Sequence, residues 1–279
     1  MTTGAIYALS AIGFTLIFNA SKIVNFAQGE FIMLGGMLTF FFLQIELPLA
    51  WAVLLAILLP AVIGTLIQRF AIDLAKGADD VVLVIITIGA ATFIRGIIKV
   101  WLGKNAHSLP PLLDNAPIEV FGASILPQSL CILAITAVLV VALWYLFGRT
   151  MTGKAMLATS FNRTVAQLVG INTGGVQVAS FAASAALGAL GGVLITPIAL
   201  TAYDVGIMLG LKAFVAAVVG GLGNGRGAII GGLLVGISEA MVSGYISSAY
   251  KDAIPFILIL AILFFKPSGI FGAKSAERV

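Results

Sequence analysis

The sequence predicts an all-α fold: a polytopic bundle of about eight or nine transmembrane helices in one domain over residues 1–279, N-terminus outside and C-terminus cytoplasmic. Three observations predict it. Of the 279 residues, 61% are hydrophobic and 9% charged, with mean hydropathy +1.15, where a soluble domain carries about 25% charged residues. The apolar residues gather into runs close to the roughly 20 residues a helix needs to cross a hydrocarbon layer of about 30 Å. The cations between those runs segregate by side.

Apolar runs fall at 3–18, 23–44, 48–69, 82–103, 128–147, 176–199, 209–221, 228–245 and 252–267. The first is read as a retained span, because a secretory signal needs a basic region ahead of its apolar stretch and the first charge here, Lys22, follows it. The run 209–221 is short and follows Pro197, Gly206 and Gly210, so a broken or re-entrant segment competes with a full crossing. With the N-terminus outside, the inner segments hold Lys22, Arg69, Lys76, Arg149, Lys154, Arg163, Arg226, Lys266, Lys274 and Arg278, and the outer loops hold Lys104 and Lys251. This asymmetry follows the positive-inside rule, and a full crossing keeps the C-terminal cations inside.

The outer loop 104–127, with Pro110, Pro111, Pro117 and Gly122, is either a face for an extracytoplasmic partner or a connector. Its His107, the one histidine, is expected to be solvated rather than catalytic. GEFIMLGG (Gly29 to Gly36) and GRGAIIGG (Gly225 to Gly232) share a spacing. That spacing suggests either an internal repeat or paired glycines for close helix contact.

GRTMTGKA (Gly148 to Ala155) matches a phosphate-binding loop except at its last position, where Ala155 lacks the magnesium-binding hydroxyl. Neither it nor GGLGNGRG (Gly220 to Gly227) sits in a strand-to-helix setting, so nucleotide binding is excluded and the latter is read as a tight inner turn. The scattered cations form no nucleic-acid tract, Cys131 is alone, and no group of residues has metal-ligand or catalytic spacing. The segment 152–170 reads as an amphipathic helix capped by Thr152 and ended by Gly170, with Leu157, Phe161, Val165 and Leu168 on one face. Docking to a partner and lying on the membrane lipid serve that stripe equally well.

Five charges fall inside apolar runs away from their ends, where each costs about 2.5 to 3.5 kcal/mol on insertion scales. Glu30, expected roughly 10 Å inside its span, forms a polar cluster with Asn25 and Gln28. Glu239 joins it as a candidate pathway or gate residue, able to pair with Lys212 or Arg95. Arg95 and Lys99, four apart on one helical face, are candidate outer-side charges that either attract a carboxylate or snorkel toward headgroups.

The motifs YALSAIGFTLIF (Tyr7 to Phe18), VNFAQGEFIMLGG (Val24 to Gly36), TGKAMLATSFNRTVAQLVGIN (Thr152 to Asn172), GLKAFVAAVVGGLGNGRGAIIGGLLVGISEA (Gly210 to Ala240), SGYISSAYKDAIPF (Ser243 to Phe256) and KPSGIFG (Lys266 to Gly272) run nearly the length of the chain. In them the sequence resembles the LivH-type permease subunits of branched-chain amino acid ABC importers. The resemblance implies a multi-pass protein of the prokaryotic cytoplasmic (inner) membrane. It implies a second permease subunit of the LivM kind, two cytoplasmic ATPase subunits binding ATP and Mg, and an extracytoplasmic substrate-binding protein, with no cofactor in this chain. It makes 152–170 a coupling helix, with Gly153, Lys154, Ala155, Phe161, Arg163, Ala166 and Gly170 facing the ATPases. Of the broader importer signature E-A-A-x-x-x-G, Ala166 and Gly170 match, while Thr164 and Val165 replace the glutamate and first alanine. Substrates implied are hydrophobic branched-chain amino acids, with urea, short amides or aromatic acids as related solutes. A self-sufficient channel or secondary carrier, with 209–221 as a half-helix, is the rival; it predicts intramembrane ions that pair within one chain.

Overall fold

The computed structural model describes residues 1–75, 77–111, 116–120 and 123–272. Lys76, Lys274 and Arg278 among the inner cations, and Gly122 of the outer loop, lie outside the described residues. The helices are α1 (Thr2–Ser21), α2 (Gln28–Gln44), α3 (Leu49–Ile67, continued by one π turn, Gln68–Ile72), α4 (Asp80–Leu102), α5 (Pro127–Arg149), α6 (Met151–Phe161), α7 (Arg163–Leu168), α8 (Thr173–Ala199), α9 (Val205–Gly220), α10 (Gly225–Tyr245) and α11 (Ile254–Phe265). A hairpin pairs Ile118–Val120 with Ala123–Ile125 in the loop after α4.

Each of the nine apolar runs contains a helix. By length and composition, α1, α3 with its π turn, α4, α5, α8 and α10 are long enough to cross a membrane, while α9 and α11 are shorter apolar helices of 16 and 12 residues. The second run differs most from expectation. Its first residues, 23–27, are unwound, and α2 starts only at Gln28, which bonds Ser184. Ser184 lies about 16 Å along α8, a helix about 40 Å long, so α2 begins near half depth.

Cross-contacts set the direction of each helix. Gln177 donates to the Ala20 carbonyl while Gly191 faces Ser10 and Ile6, so α1 opposes α8. Gln28 meets Ser184 and Gly36 meets Thr196, so α2 runs with α8. Gln68 meets Gln177, Gln128 donates to the Leu194 carbonyl, and Glu30 meets Arg95. These contacts place α3 and α5 against α8 and α4 along α2. Gly220 touches Gly227, Lys212 meets Asp252, and Ile270 N–H reaches the Val219 carbonyl at 2.9 Å, which orients α9, α10 and α11. Among the described residues α2, α4, α8 and α10 therefore run one way, and α1, α3, α5, α9 and α11 the other.

The core is α1, α2, α8, α9 and α10, with α1 apolar all round and buried over most of its length, the pattern of a central helix. Where the solvent is as apolar as the side chains, close backbone approach supplies the packing. A Cβ on Gly35 would run into the Ala189 carbonyl, and one on Gly192 into the Ile32 carbonyl. The paired glycines of GEFIMLGG and GRGAIIGG serve such contacts, Gly35 and Gly36 on α8 and its C-terminal continuation, Gly231 on α9 and Gly232 on α1. The two stretches are not equivalent in depth, since α10 opens at the end of the bundle and α2 at its middle.

GGLGNGRG is a tight turn, with Gly221 and Gly223 at φ 104° and 93°. KPSGIFG closes over it: Phe271 N–H bonds the Gly220 carbonyl at 3.0 Å, and Asn224 Nδ2 bonds the Phe271 carbonyl at 2.9 Å. Asn19 Nδ2 ties the end of α1 to the Gly223 carbonyl at 2.9 Å.

Gly192→Ala is expected to destabilise the protein by about 1 to 3 kcal/mol through overpacking. Gly89→Ala, where nothing lies within 4 Å, is expected not to destabilise it. Thermal unfolding of both variants in detergent checks this.

Candidate functional site

The unwound stretch before α2 draws hydrogen bonds from neighbouring protein groups, as non-helical backbone inside a membrane requires. Asn25 Oδ1 accepts from Ala27 N–H at 3.1 Å, and Thr87 Oγ1 on α4 accepts from Phe26 N–H at 3.2 Å. Gln28 is held twice on α8: its Nε2 donates to the Ser184 carbonyl at 3.1 Å, and Ser184 Oγ donates to its Oε1 at 2.6 Å. Asn25 thus holds the broken backbone, while Gln28 ties the start of α2 to α8.

Glu30 lies in the first turn of α2, not deep within a longer helix. Its Oε1 pairs with the Arg95 guanidinium, Arg95 Nε standing 3.2 Å away. Gly29 packs backbone to backbone on Gly206 in the first turn of α9, and a Cβ on Gly206 would stand 3.2 Å from Glu30 Oε2. The carboxylate therefore sits beside two helix N-termini, whose partial positive charge favours an anion. Oε2 itself is buried and has no hydrogen-bond partner among the described residues. Arg95, expected as an outer-side charge, turns inward to Glu30 and keeps its side chain 25% exposed. Lys99 lies one turn further along, its Nζ 5.2 Å above the Tyr203 ring.

A second cluster joins α1, α9, α10 and the entry to α11. The Lys212 ammonium, 6% exposed, lies between Glu239 Oε1 and Asp252 Oδ1, the latter at 2.6 Å. Tyr7 donates to Glu239 Oε2 at 2.7 Å. Of the two partners open to Glu239 from sequence, the fold selects Lys212; Arg95 is taken by Glu30.

At the end of the bundle where α5 stops, the expected single helix over 152–170 is two helices. Asn162 adopts extended backbone (φ −155°, ψ 109°), and its side chain caps α7 through Val165 N–H at 3.1 Å. The start is capped by Thr150, which accepts from Gly153 N–H at 3.1 Å, and not by Thr152. Gly153 is required because a Cβ there would strike the Leu146 carbonyl at the α5–α6 corner. Gly170 ends the segment at φ 84°, a left-handed terminus suited to glycine. Along α7 only Ala166 is buried. Lys154 and Arg163 are exposed, Ala155 is half-buried, and Phe161 and Leu168 are each 82% exposed.

The outer loop is anchored through His107, which is half-buried and not a solvated bystander. Its N–H and carbonyl pair with Thr201 at 2.8 Å, and its ring stacks on Phe40 with centroids 3.9 Å apart.

Residues 1–263 match the family described as branched-chain amino acid transport system / permease component. The chain is a member of that permease-component family. It is 33% identical over 294 residues to the high-affinity branched-chain amino acid transport system permease protein LivH of Salmonella typhimurium, covering 100% of this chain and 95% of that one. It is 30% identical over 295 residues to the permease protein BraD of Pseudomonas aeruginosa, with the same coverage. In fold it resembles PsaBC from Streptococcus pneumoniae in complex with Fab, with TM-score 0.52, 15% identity, and coverage of 97% of this chain and 91% of that one.

In this permease-component chain, Tyr7, Tyr203 and Asp252 were missed as site residues by reading the sequence. Tyr7 and Asp252 do stand in the quoted motifs, and a polar residue at a span boundary opposite a buried lysine is the signal that marks Asp252.

Lys212→Met is expected to cost about 3 to 5 kcal/mol by stranding Glu239, and adding Glu239→Gln to recover part of that loss. Chemical denaturation of the single and double variants, read as a double-mutant cycle, measures the coupling.

Proposed function

We propose that this chain is one permease subunit of an ATP-driven importer that moves branched-chain or similar hydrophobic amino acids into a prokaryotic cell. The observation that carries the reading is the match of residues 1–263 to the permease-component family, with relatives named for branched-chain amino acid transport along its whole length. The chain works beside a second permease subunit of the LivM kind, two cytoplasmic ATPases that bind ATP and Mg, and an extracytoplasmic binding protein. It forms no catalytic site of its own. The α6–α7 end is cytoplasmic: by helix direction, Lys22, Arg69, Arg149, Lys154, Arg163, Arg226 and Lys266 gather there, against Lys104 and Lys251 at the other. The N-terminus is then outside and the C-terminus inside.

Large exposed apolar side chains beside Arg163 on short helices support docking of α6–α7 onto the ATPases, with Gly153, Lys154, Ala155, Phe161, Ala166 and Gly170 shaping that surface. ATP binds the closed ATPase pair more tightly than the open one, and that difference in affinity drives the permease pair between outward and inward access. Both ion pairs close within the chain, an arrangement the carrier reading also predicts; the family match favours the importer.

Phe161→Asp combined with Leu168→Asp is expected to lower recovery of the ATPases with the tagged chain on the order of tenfold or more and to abolish ATP-driven leucine uptake in proteoliposomes. Thermal stability of the chain should hold, because both side chains are exposed. Leucine uptake by this chain without ATPase partners would overturn the importer reading.

A further inference from the structure

An amino acid inside a low-dielectric bundle carries two charges that water no longer solvates, so a site for it must offer a carboxylate to its ammonium and a cation to its carboxylate. Among the described residues two buried clusters bring both signs together, and they differ in spare capacity. The cluster on Lys212 is closed: Glu239 uses one oxygen on Lys212 and the other on Tyr7, and Lys212 is shared with Asp252.

The cluster on Glu30 is open in both signs. Glu30 is 1% exposed, yet its Oε2 accepts from nothing. Arg95 keeps its side chain 25% exposed while paired with the other oxygen. Lys99, one turn away on the same helix, makes no ion pair among the described residues and rests on the Tyr203 ring. One cation thus pairs with a half-used carboxylate, and a second stands one helical turn beyond it. The pair lies where α2 and α9 both begin and where Gly29 and Gly206 bring the two backbones into contact.

We propose that Glu30, Arg95 and Lys99 form a transient subsite for the zwitterionic head of the transported amino acid, and that the Glu30–Arg95 pair is the closed form of that subsite. In the closed form each side chain stands in for one charge of the substrate. On entry the substrate carboxylate takes Arg95 and Lys99, its ammonium takes Glu30, and the charges exchange partners without any being left bare. Opening costs little for a zwitterion and much for a neutral solute, which has no charges to offer in exchange. Glycine at 29 and 206 lets the two helix starts meet backbone to backbone with the Glu30 carboxylate at the contact, so a movement of α9 against α2 changes the surroundings of that carboxylate. The subsite rests on the amino acid import proposed above.

The test uses the assembled importer, purified from its native membrane through a tag on this chain. Tritiated leucine binding is followed by scintillation proximity, and ATP-driven uptake in proteoliposomes. Lys99→Gln, at an exposed position, is expected to weaken leucine binding on the order of tenfold with the complex intact. Competition by 4-methylpentanoate, which has only the carboxylate, should fall in Lys99→Gln. Competition by 3-methylbutylamine, which has only the ammonium, should fall in Glu30→Gln. The swapped variant Glu30→Arg with Arg95→Glu should keep its partners yet fail to restore uptake, because the charges then face the helix starts and Lys99 with the wrong sign. Unchanged leucine affinity and competition in Lys99→Gln, or uptake restored by the swap, would show that the pair merely clamps α4 to α2. If the wild-type complex neither binds nor imports leucine, the functional reading itself falls, and the subsite with it; wild-type uptake with unaltered variants removes the subsite alone.

Discussion

A charge or an unpaired amide inside a membrane has no water to turn to, and the rest of this fold depends on how that constraint is met. The chain breaks helical backbone over 22–27, ahead of α2, and carries charged side chains on α2, α4, α9 and α10. Specific neighbours answer the break and the paired charges: Thr87 for the amide of Phe26, Ser184 for Gln28, Arg95 for Glu30, and Glu239 with Asp252 for Lys212. These neighbours come from helices far apart in sequence, so polar satisfaction also fixes which helices touch. A peripheral helix such as α4, with few buried faces, is located mainly by what Thr87 and Arg95 reach.

Apolar burial cannot do that sorting, because lipid tails are as apolar as leucine. The central helices instead approach until backbone meets backbone, at Gly35 with Ala189, Gly192 with Ile32, Gly231 with Ala216 and Gly232 with Ala8. Such contacts are short-ranged and tolerate no added methyl, which makes the core rigid at the glycines. The exposed apolar side chains of α5 and α11 suit lipid or another subunit. Rigidity inside and adaptable surface outside are what a subunit that rocks as a body against a partner requires.

The fold class was legible in the sequence because nine apolar runs and sided cations are one-dimensional signals. The helix breaks were less so. The run 23–44 is apolar throughout, and nothing in its hydropathy says that α2 starts at Gln28; the polar residues Asn25, Gln28 and Glu30 held the only hint. Likewise 152–170 has an unbroken apolar stripe, but Asn162 is a better cap than a mid-helix residue, so two short helices win over one long one. Of the ion pairs, the sequence showed the charges and left Glu239 two partners, since pairing depends on helix neighbours and not on spacing. Glu30 and Arg95 were both singled out, though as separate features, because they stand 65 positions apart in the chain.

The two ion clusters divide the work by how completely they are satisfied. In the Lys212 cluster each buried charge is paired, Lys212 with two carboxylates and Glu239 through both oxygens, and moving a member strands another in low dielectric, so it resists motion and ties α1, α9, α10 and the start of α11 into one block. The Glu30 cluster keeps one carboxylate oxygen unused, one guanidinium partly exposed and one ammonium held only by an aromatic face. Each of these can gain an interaction as α4 or α9 shifts, which lowers the cost of leaving the present arrangement. The import cycle proposed above, with α6–α7 taking up motion and one seam opening, would draw on both kinds of cluster. The seam that is energetically least committed is the one where α2 and α9 begin.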